Sequence, residues 1–398
     1  MSASPVCSIG SPSPRVPALD ALRGIAALAV FVLHAGLRVS PDEFRDVMSR
    51  AFDLGSFGVL LFFLCSGYVV PAALERGGSL RAFAIKRAAR LLPLYWVSLA
   101  AVVACYRLGV ARAEAELGGA AVIGSSAACA AMAARPVPTV LAHVVMLQDF
   151  VGIPRLSEPY WTLSLELVFY IVVAVLHVGS ALERSALVAA RFLIVTLAVQ
   201  LVASLAHLPI RTGNMAGLCL MFVGTVLERA HAGKVERRVW RRIAALAALT
   251  LVATTYGESI LFHEPWHGTN AAVARLAALG LFAAVLARPD RLVAPGLVAL
   301  GTISYSLYLI HPLVLALVPR VGPAWVSLGV WTLVLVPLSA LTYHTIERPA
   351  IALGSRLARS RPRVRPATAT GTGPVDSNRP HPARPSTAGS PAREPMPG

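Results

Sequence analysis

Apolar residues fall in runs of 16 to 23 positions, parted by short polar segments, at 18–39, 55–75, 91–110, 160–178, 186–208, 213–228, 240–256, 270–288, 296–318 and 323–345. At 1.5 Å per residue each run is a helix able to cross a hydrocarbon layer about 30 Å thick, so the pattern predicts ten membrane spans. An eleventh segment, 117–134 (LGGAAVIGSSAACAAMAA), is Ala, Gly and Ser with little Leu, Ile or Phe, and hydropathy alone does not decide whether it crosses. No internal repeat is legible. The first 17 residues are polar and rich in Ser and Pro, without the basic-then-apolar pattern of a cleaved leader.

Composition agrees with the pattern. Of 398 residues 56% are hydrophobic and 14% charged, and the mean hydropathy is +0.66. That excludes an ordinary water-soluble enzyme and predicts an all-α, polytopic membrane protein. The net charge of +16 would suit nucleic acid in a soluble chain; here it sits in short loops and one tail, and no nucleic-acid partner is expected. Leaving 117–134 uncrossed puts the basic loops 76–90, 229–242 and 288–291 on one side with both termini, the cytoplasmic side by the excess of Arg and Lys. The segment is therefore expected to be re-entrant or to lie at the outer face. From about Ser360 the chain is Pro, Ser, Thr, Ala and Arg, a composition that does not bury enough apolar surface to fold. The expected organisation is a polar segment 1–17, a membrane domain 18–350 and a basic cytoplasmic tail 351–398. Five scattered cysteines without a CxxC pair imply neither a disulfide framework nor a zinc site.

Several ionisable residues lie where a charge costs at least about 2.5 kcal/mol. The first span carries Asp20, Arg23 and His34; the last two share a helix face about 16 Å apart, and Asp20 is three residues before Arg23, close enough to screen it. The fourth span opens EPYWTLSLELVFY and places Glu166 inside the membrane at the depth of His34; the ninth, LGTISYSLYLIHPLV, adds Tyr305, Tyr308 and His311 at spacings of three. Three helices thus aim polar groups at one level. Arg81, Lys86, Arg87 and Arg90 precede the third span; anionic lipid is their first expected partner, and Arg87 and Arg90 equally suit phosphate.

In that order and spacing, LDALRGIAALAVFVLHAG, GVLLFFLCSGYVV, RAFAIKRAARLLPLYW, EPYWTLSLELVFY, GTISYSLYLIHPLV and HTIERPA resemble the membrane acyltransferase-3 family of bacterial O-acyltransferases over about 18–350. The resemblance implies a multi-pass protein of the bacterial cytoplasmic membrane. It also implies transfer of an acyl group, often acetyl, from cytoplasmic acyl-CoA to a hydroxyl of a glycan, lipid-linked sugar or secondary metabolite. The family's Arg-x10-His pair matches Arg23 and His34, its basic residues before the third span match Arg87 and Arg90, and its WTLS-x-E glutamate matches Glu166. Two features depart from it: Leu167 stands where a second acid is common, which weakens a two-carboxylate mechanism, and the segment 117–134 has no counterpart.

Transfer to a hydroxyl needs a base, and imidazole titrates in the right range. His34 is expected to take that role, with Glu166 orienting it as a carboxylate does in hydrolytic triads. Arg23, Arg87 and Arg90 are expected to hold the CoA phosphates, and Asp20, Tyr305, Tyr308 and His311 to line the route. A covalent relay through Cys65 is disfavoured, since a thiol on an apolar helix without a base is inert. No metal is expected: His263-Glu264-Pro265-Trp266-His267 satisfies HExxH, but Pro265 interrupts the helical turn that motif needs. The rival function is a secondary transporter or an exporter of an acylated or glycosylated compound.

Overall fold

In a computed structural model the described residues, 16–77, 79–116, 122–262, 268–291 and 294–359, form a helical bundle. The helices are α1 (Pro17–Val39), α2 (Pro41–Arg50), α3 (Leu54–Gly77), α4 (Leu80–Arg107), α5 (Val110–Glu116), α6 (Ser126–Ala134), α7 (Pro136–Val144), α8 (Tyr160–Val178), α9 (Ser185–Leu205), α10 (Gly213–His231), α11 (Arg237–Phe262), α12 (Thr269–Ala287), α13 (Pro295–Thr302), α14 (Ser304–Leu317), α15 (Ala324–Thr342) and α16 (Arg348–Arg359). Eight stretches are long and apolar enough to cross a bilayer, and lipid-facing side chains such as Ile194, Leu201 and Leu333 are apolar and exposed. The protein is an all-α, multi-pass membrane protein. Helix α10, less apolar through Glu228 and Arg229, is still 19 residues long, about 28 Å, and is almost wholly buried.

Two of the expected runs take a different form. The ninth is broken: α13 and α14 meet at a bend of 73°. The tenth outlasts its apolar stretch, because α15 passes through a π-helical turn, Tyr343–Glu347, into α16 and runs to Arg359, beyond position 350. Residues 126–144 form two nine-residue helices bent by 113°, and nine residues reach only about 14 Å. The α6–α7 pair is held against α4 and the loop before α8 by buried His143, whose carbonyl accepts from Tyr95 at 2.7 Å and whose Nε2 accepts from the Leu156 N–H at 3.1 Å. The segments 1–15 and 360–398, and the HExxH residues 263–267, lie outside the described residues.

Of those eight stretches helix α3 is the most buried, and it packs against α1, α8, α10 and α12. Small residues allow the close approaches, as is usual where helices associate in lipid. A Cβ on Gly67 would collide with the Met221 backbone of α10, and one on Gly301 with the Asp20 carbonyl of α1. Beside the first contact Thr225 donates to the Gly67 carbonyl at 3.0 Å. At the opposite end from the basic loops, Glu114 of α5 accepts two bonds from Arg38 of α1, at 2.8 and 2.5 Å. Burial pushes the Glu114 carboxyl above the usual range, against the pull of Arg38. The α3–α10 contact sets a test: Gly67→Val is expected to destabilise the protein by roughly 1–3 kcal/mol, the usual cost of overpacking, read as a lower unfolding midpoint of the detergent-solubilised protein, whereas Val at open Gly280 leaves the midpoint nearly unchanged.

Candidate active site

Three cavities follow one another through the bundle. The first, about 530 Å³, opens among the basic-loop ends of the helices, with Asp20, Arg23, Arg76, Arg90 and Arg348 in its wall. The second is a narrow chamber of about 60 Å³ in the interior, lined by Arg23, Ser66, Arg90, Glu166, Tyr305 and Tyr308 among others. The third, about 520 Å³, lies at the other end. Arg23 and Arg90 belong to the walls of both the first cavity and the chamber; Val59 and Phe63 belong to those of the chamber and the third.

The chamber is built from five helices, α1, α3, α4, α8 and α14. Arg23 comes from α1, brought close to α13 by Gly301. Glu166 of α8 accepts from Tyr170 Oη, one turn on, at 2.6 Å and from Ser66 Oγ of α3 at 3.2 Å. Tyr305 and Tyr308 stand at the start of α14, just past the 73° bend, so the bend directs them inward. Tyr305 donates to the Leu91 carbonyl at 2.6 Å, and the Tyr308 hydroxyl lies 2.9 Å from Thr162 Oγ1.

The expected contact between His34 and Glu166 is not formed. His34 Nδ1 lies 3.0 Å from His311 Nε2, and the rings stack with centroids 5.0 Å apart. Similar depth did not bring the first pair together because α1 turns His34 toward α14 while α8 turns Glu166 toward α3. The histidines adjoin the chamber through Tyr308, whose ring centroid is 5.9 Å from that of His311. Asp20 and Arg23 share the first cavity's wall, but no ion pair joins them among the described residues.

Arg87 and Arg90 do different things. The Arg87 guanidinium lies 5.5 Å from the Phe83 ring centroid and 5.7 Å from that of Tyr170, in neither cavity wall. Arg90 pairs at 3.4 Å with Glu347, a buried carboxylate that also accepts from Ser306 at 2.9 Å. Glu347, the partner of Arg90, is the contact to the candidate site that reading the chain missed. In HTIERPA it looks like the polar end of a last span; only the π-turn aims it back into the bundle, and such turns are frequent at functional sites. Tyr170 was within reach, four residues after Glu166 and so on its face. Cys65 is buried, its Sγ 4.0 Å from the Leu19 carbonyl, a packing position. Among the described residues no three His, Cys, Asp or Glu side chains converge to hold a metal ion.

The described residues thus form a multi-pass helical bundle with a polar chamber between two larger cavities. The acyltransferase domain family matches residues 16–343, and the chain belongs to this acyltransferase-3 family; it is an O-acyltransferase. Acyltransferase MdmB of Streptomyces mycarofaciens is 31% identical over 160 residues, 39% of this chain and 38% of that protein. Nodulation protein 10 of Rhizobium leguminosarum bv. viciae is 28% identical over 372 residues, 86% of this chain and 95% of that protein. No solved structure matches significantly.

The Arg90–Glu347 pair sets a second test. Removing Arg90 strands the fully buried carboxylate of Glu347, so Arg90→Ala is expected to cost about 3 kcal/mol. The Arg90→Ala/Glu347→Ala double variant should cost clearly less than the sum of the singles, measured by equilibrium denaturation in mixed micelles.

Proposed function

We propose that the protein carries a short acyl group, acetyl first, from acyl-CoA held at the basic-loop face to a hydroxyl of a carbohydrate or glycosylated acceptor at the opposite face. In this reading the basic loops and both termini are cytoplasmic and the membrane is the bacterial inner membrane. The observation that carries it is the sharing of Arg23 and Arg90 between the basic-loop cavity and the inner chamber. Two guanidiniums at that junction suit the phosphates of CoA, with the pantetheine arm leading the thioester inward.

Beside the chamber, reached through Tyr308, His34 acts as general base, positioned by His311 rather than by Glu166. The acceptor oxygen loses its proton to imidazole as its bond to the acyl carbon forms; the C–S bond breaks, and the proton passes from imidazole to the departing thiolate. Tyr308, whose contact with Thr162 leaves either hydroxyl as donor, offers a donor for the charge that develops on the acyl oxygen, while the hydroxyl protons of Tyr305 and Ser66 are given to the Leu91 carbonyl and Glu166. A second assignment has its own observation. Glu166 lies on the chamber wall itself, held by two hydroxyl donors, and competes with His34 for the role of base.

The discriminating experiment is transfer of label from acetyl-CoA into extracted envelope glycans and small-molecule acceptors, in membranes of matched expression. His34→Ala is expected to lose roughly 10²–10⁴-fold, the range of general-base catalysis, and the His34→Ala/His311→Ala double variant no more than the single. A Glu166→Gln loss of that size beside an active His34→Ala moves the base to Glu166. Equal labelling in all variants refutes both assignments, and substrate export independent of acetyl-CoA would make the protein a transporter.

A further inference from the structure

The first cavity has a throat and a mouth. Arg23 and Arg90, shared with the chamber, stand at the throat; Arg76 and Arg348 line the first cavity alone and are exposed. Arg76 comes from the last turn of α3. Arg348 is placed by the π-turn, where its backbone N–H donates to the carbonyl of Tyr343, five residues back. The two side chains therefore stand one π-turn apart, and both belong to the cavity wall. Glu347, between them in the chain, reaches Arg90 instead. One widened turn thus supplies a carboxylate to the throat and a guanidinium and an aromatic ring to the mouth.

The arginines differ in what they already hold. Arg90 is matched by Glu347, and Arg87 lies against aromatic rings, in neither wall. Arg23, Arg76 and Arg348 make no side-chain hydrogen bond or ion pair among the described residues. Two carboxylates share their wall, Asp20 and Glu228, and neither is in ion-pair contact with any of the three. What suits a phosphate here is guanidinium N–H groups on a cavity wall without a protein acceptor, rather than bulk charge.

We propose that the mouth recognises the nucleotide end of the acyl donor: Arg348 and Arg76 take the 3′-phosphate of CoA, with the Tyr343 ring beside the adenine. The order follows the donor's own chain. Its thioester must reach the chamber, the pantetheine arm and pyrophosphate trail through the throat past Arg23 and Arg90, and the 3′-phosphoadenosine is left at the mouth. That phosphate is absent from a pantetheine thioester carried on a protein, so Arg348 and Arg76 select a free acyl-CoA over an acylated carrier protein. The assignment rests on the acyl-CoA reading above and adds the residues that choose the donor.

The test is calorimetric binding to the full chain in phosphatidylcholine nanodiscs, with CoA and 3′-dephospho-CoA as probes. CoA is expected to bind at least about tenfold more tightly, the worth of a hydrogen bond to a charged group. Arg348→Gln and Arg76→Gln are each expected to reduce that preference severalfold by weakening CoA alone; unchanged binding of 3′-dephospho-CoA shows that the variant is folded. Repeating the titration with phosphatidylglycerol in the discs separates the nucleotide from lipid. A preference that survives supports the proposal, whereas one abolished by the anionic lipid assigns the two arginines to lipid phosphate and overturns it. Equal binding of the two probes, or variants that weaken both alike or neither, also overturns it and leaves the acyl-CoA reading standing. Failure of the wild-type protein to bind either probe would instead remove that reading, and the proposal with it.

Discussion

Ionised side chains inside an apolar bundle must be matched or lead to water, since desolvating one alone costs several kcal/mol. That constraint organises this molecule around Arg90. Its guanidinium is placed by α4 at the junction of two cavities and matched by Glu347, which only the π-turn between α15 and α16 can aim inward. The final helix is thereby joined to the third span, against which α16 packs, and the cation is held on the cavity wall. The same demand explains the other polar contacts of the interior: Glu166 with Tyr170 and Ser66, Tyr308 with Thr162, Tyr305 with a backbone carbonyl.

Close packing and open space are linked here. Where small residues let helices touch, as at Gly67 and Gly301, neighbouring side chains are drawn in; where helices separate, the cavities form. The bend between α13 and α14 serves both ends, since Gly301 abuts α1 just before it and the two tyrosines enter the chamber just after it. Lipid supplies no driving force for such contacts beyond packing and hydrogen bonds, so cavities inside the bundle persist only because helices around them are locked elsewhere.

Much of the site was legible along the chain because its members are anomalies. Arg23, His34, Glu166, Tyr305, Tyr308 and His311 stand out against apolar helices, and each lies in or beside the interior chamber. Their partners were less legible. Depth along a helix follows from counting residues, but facing direction depends on how neighbouring helices rotate, and so His34 meets His311 while Glu166 meets Ser66 and Tyr170. Glu347 escaped notice because an acid at the end of a span ordinarily faces water. Arg87 and Arg90, three residues apart and alike in sequence, part company over aromatic rings and a buried carboxylate.

What the sequence by itself determined is the all-α polytopic fold, the family, the ten hydrophobic runs and the identity of most polar groups in the interior. These follow from the cost of placing backbone and charge in hydrocarbon, a cost paid residue by residue and therefore readable residue by residue. Only the tertiary structure decided which of those groups touch, where α13 breaks from α14, that the last helix carries a carboxylate back to Arg90, and that three cavities share walls at Arg23 and Arg90 and at Val59 and Phe63. The reason is geometric: pairing and enclosure are properties of several helices at once, set by their mutual rotation and packing, and no single stretch of chain encodes them.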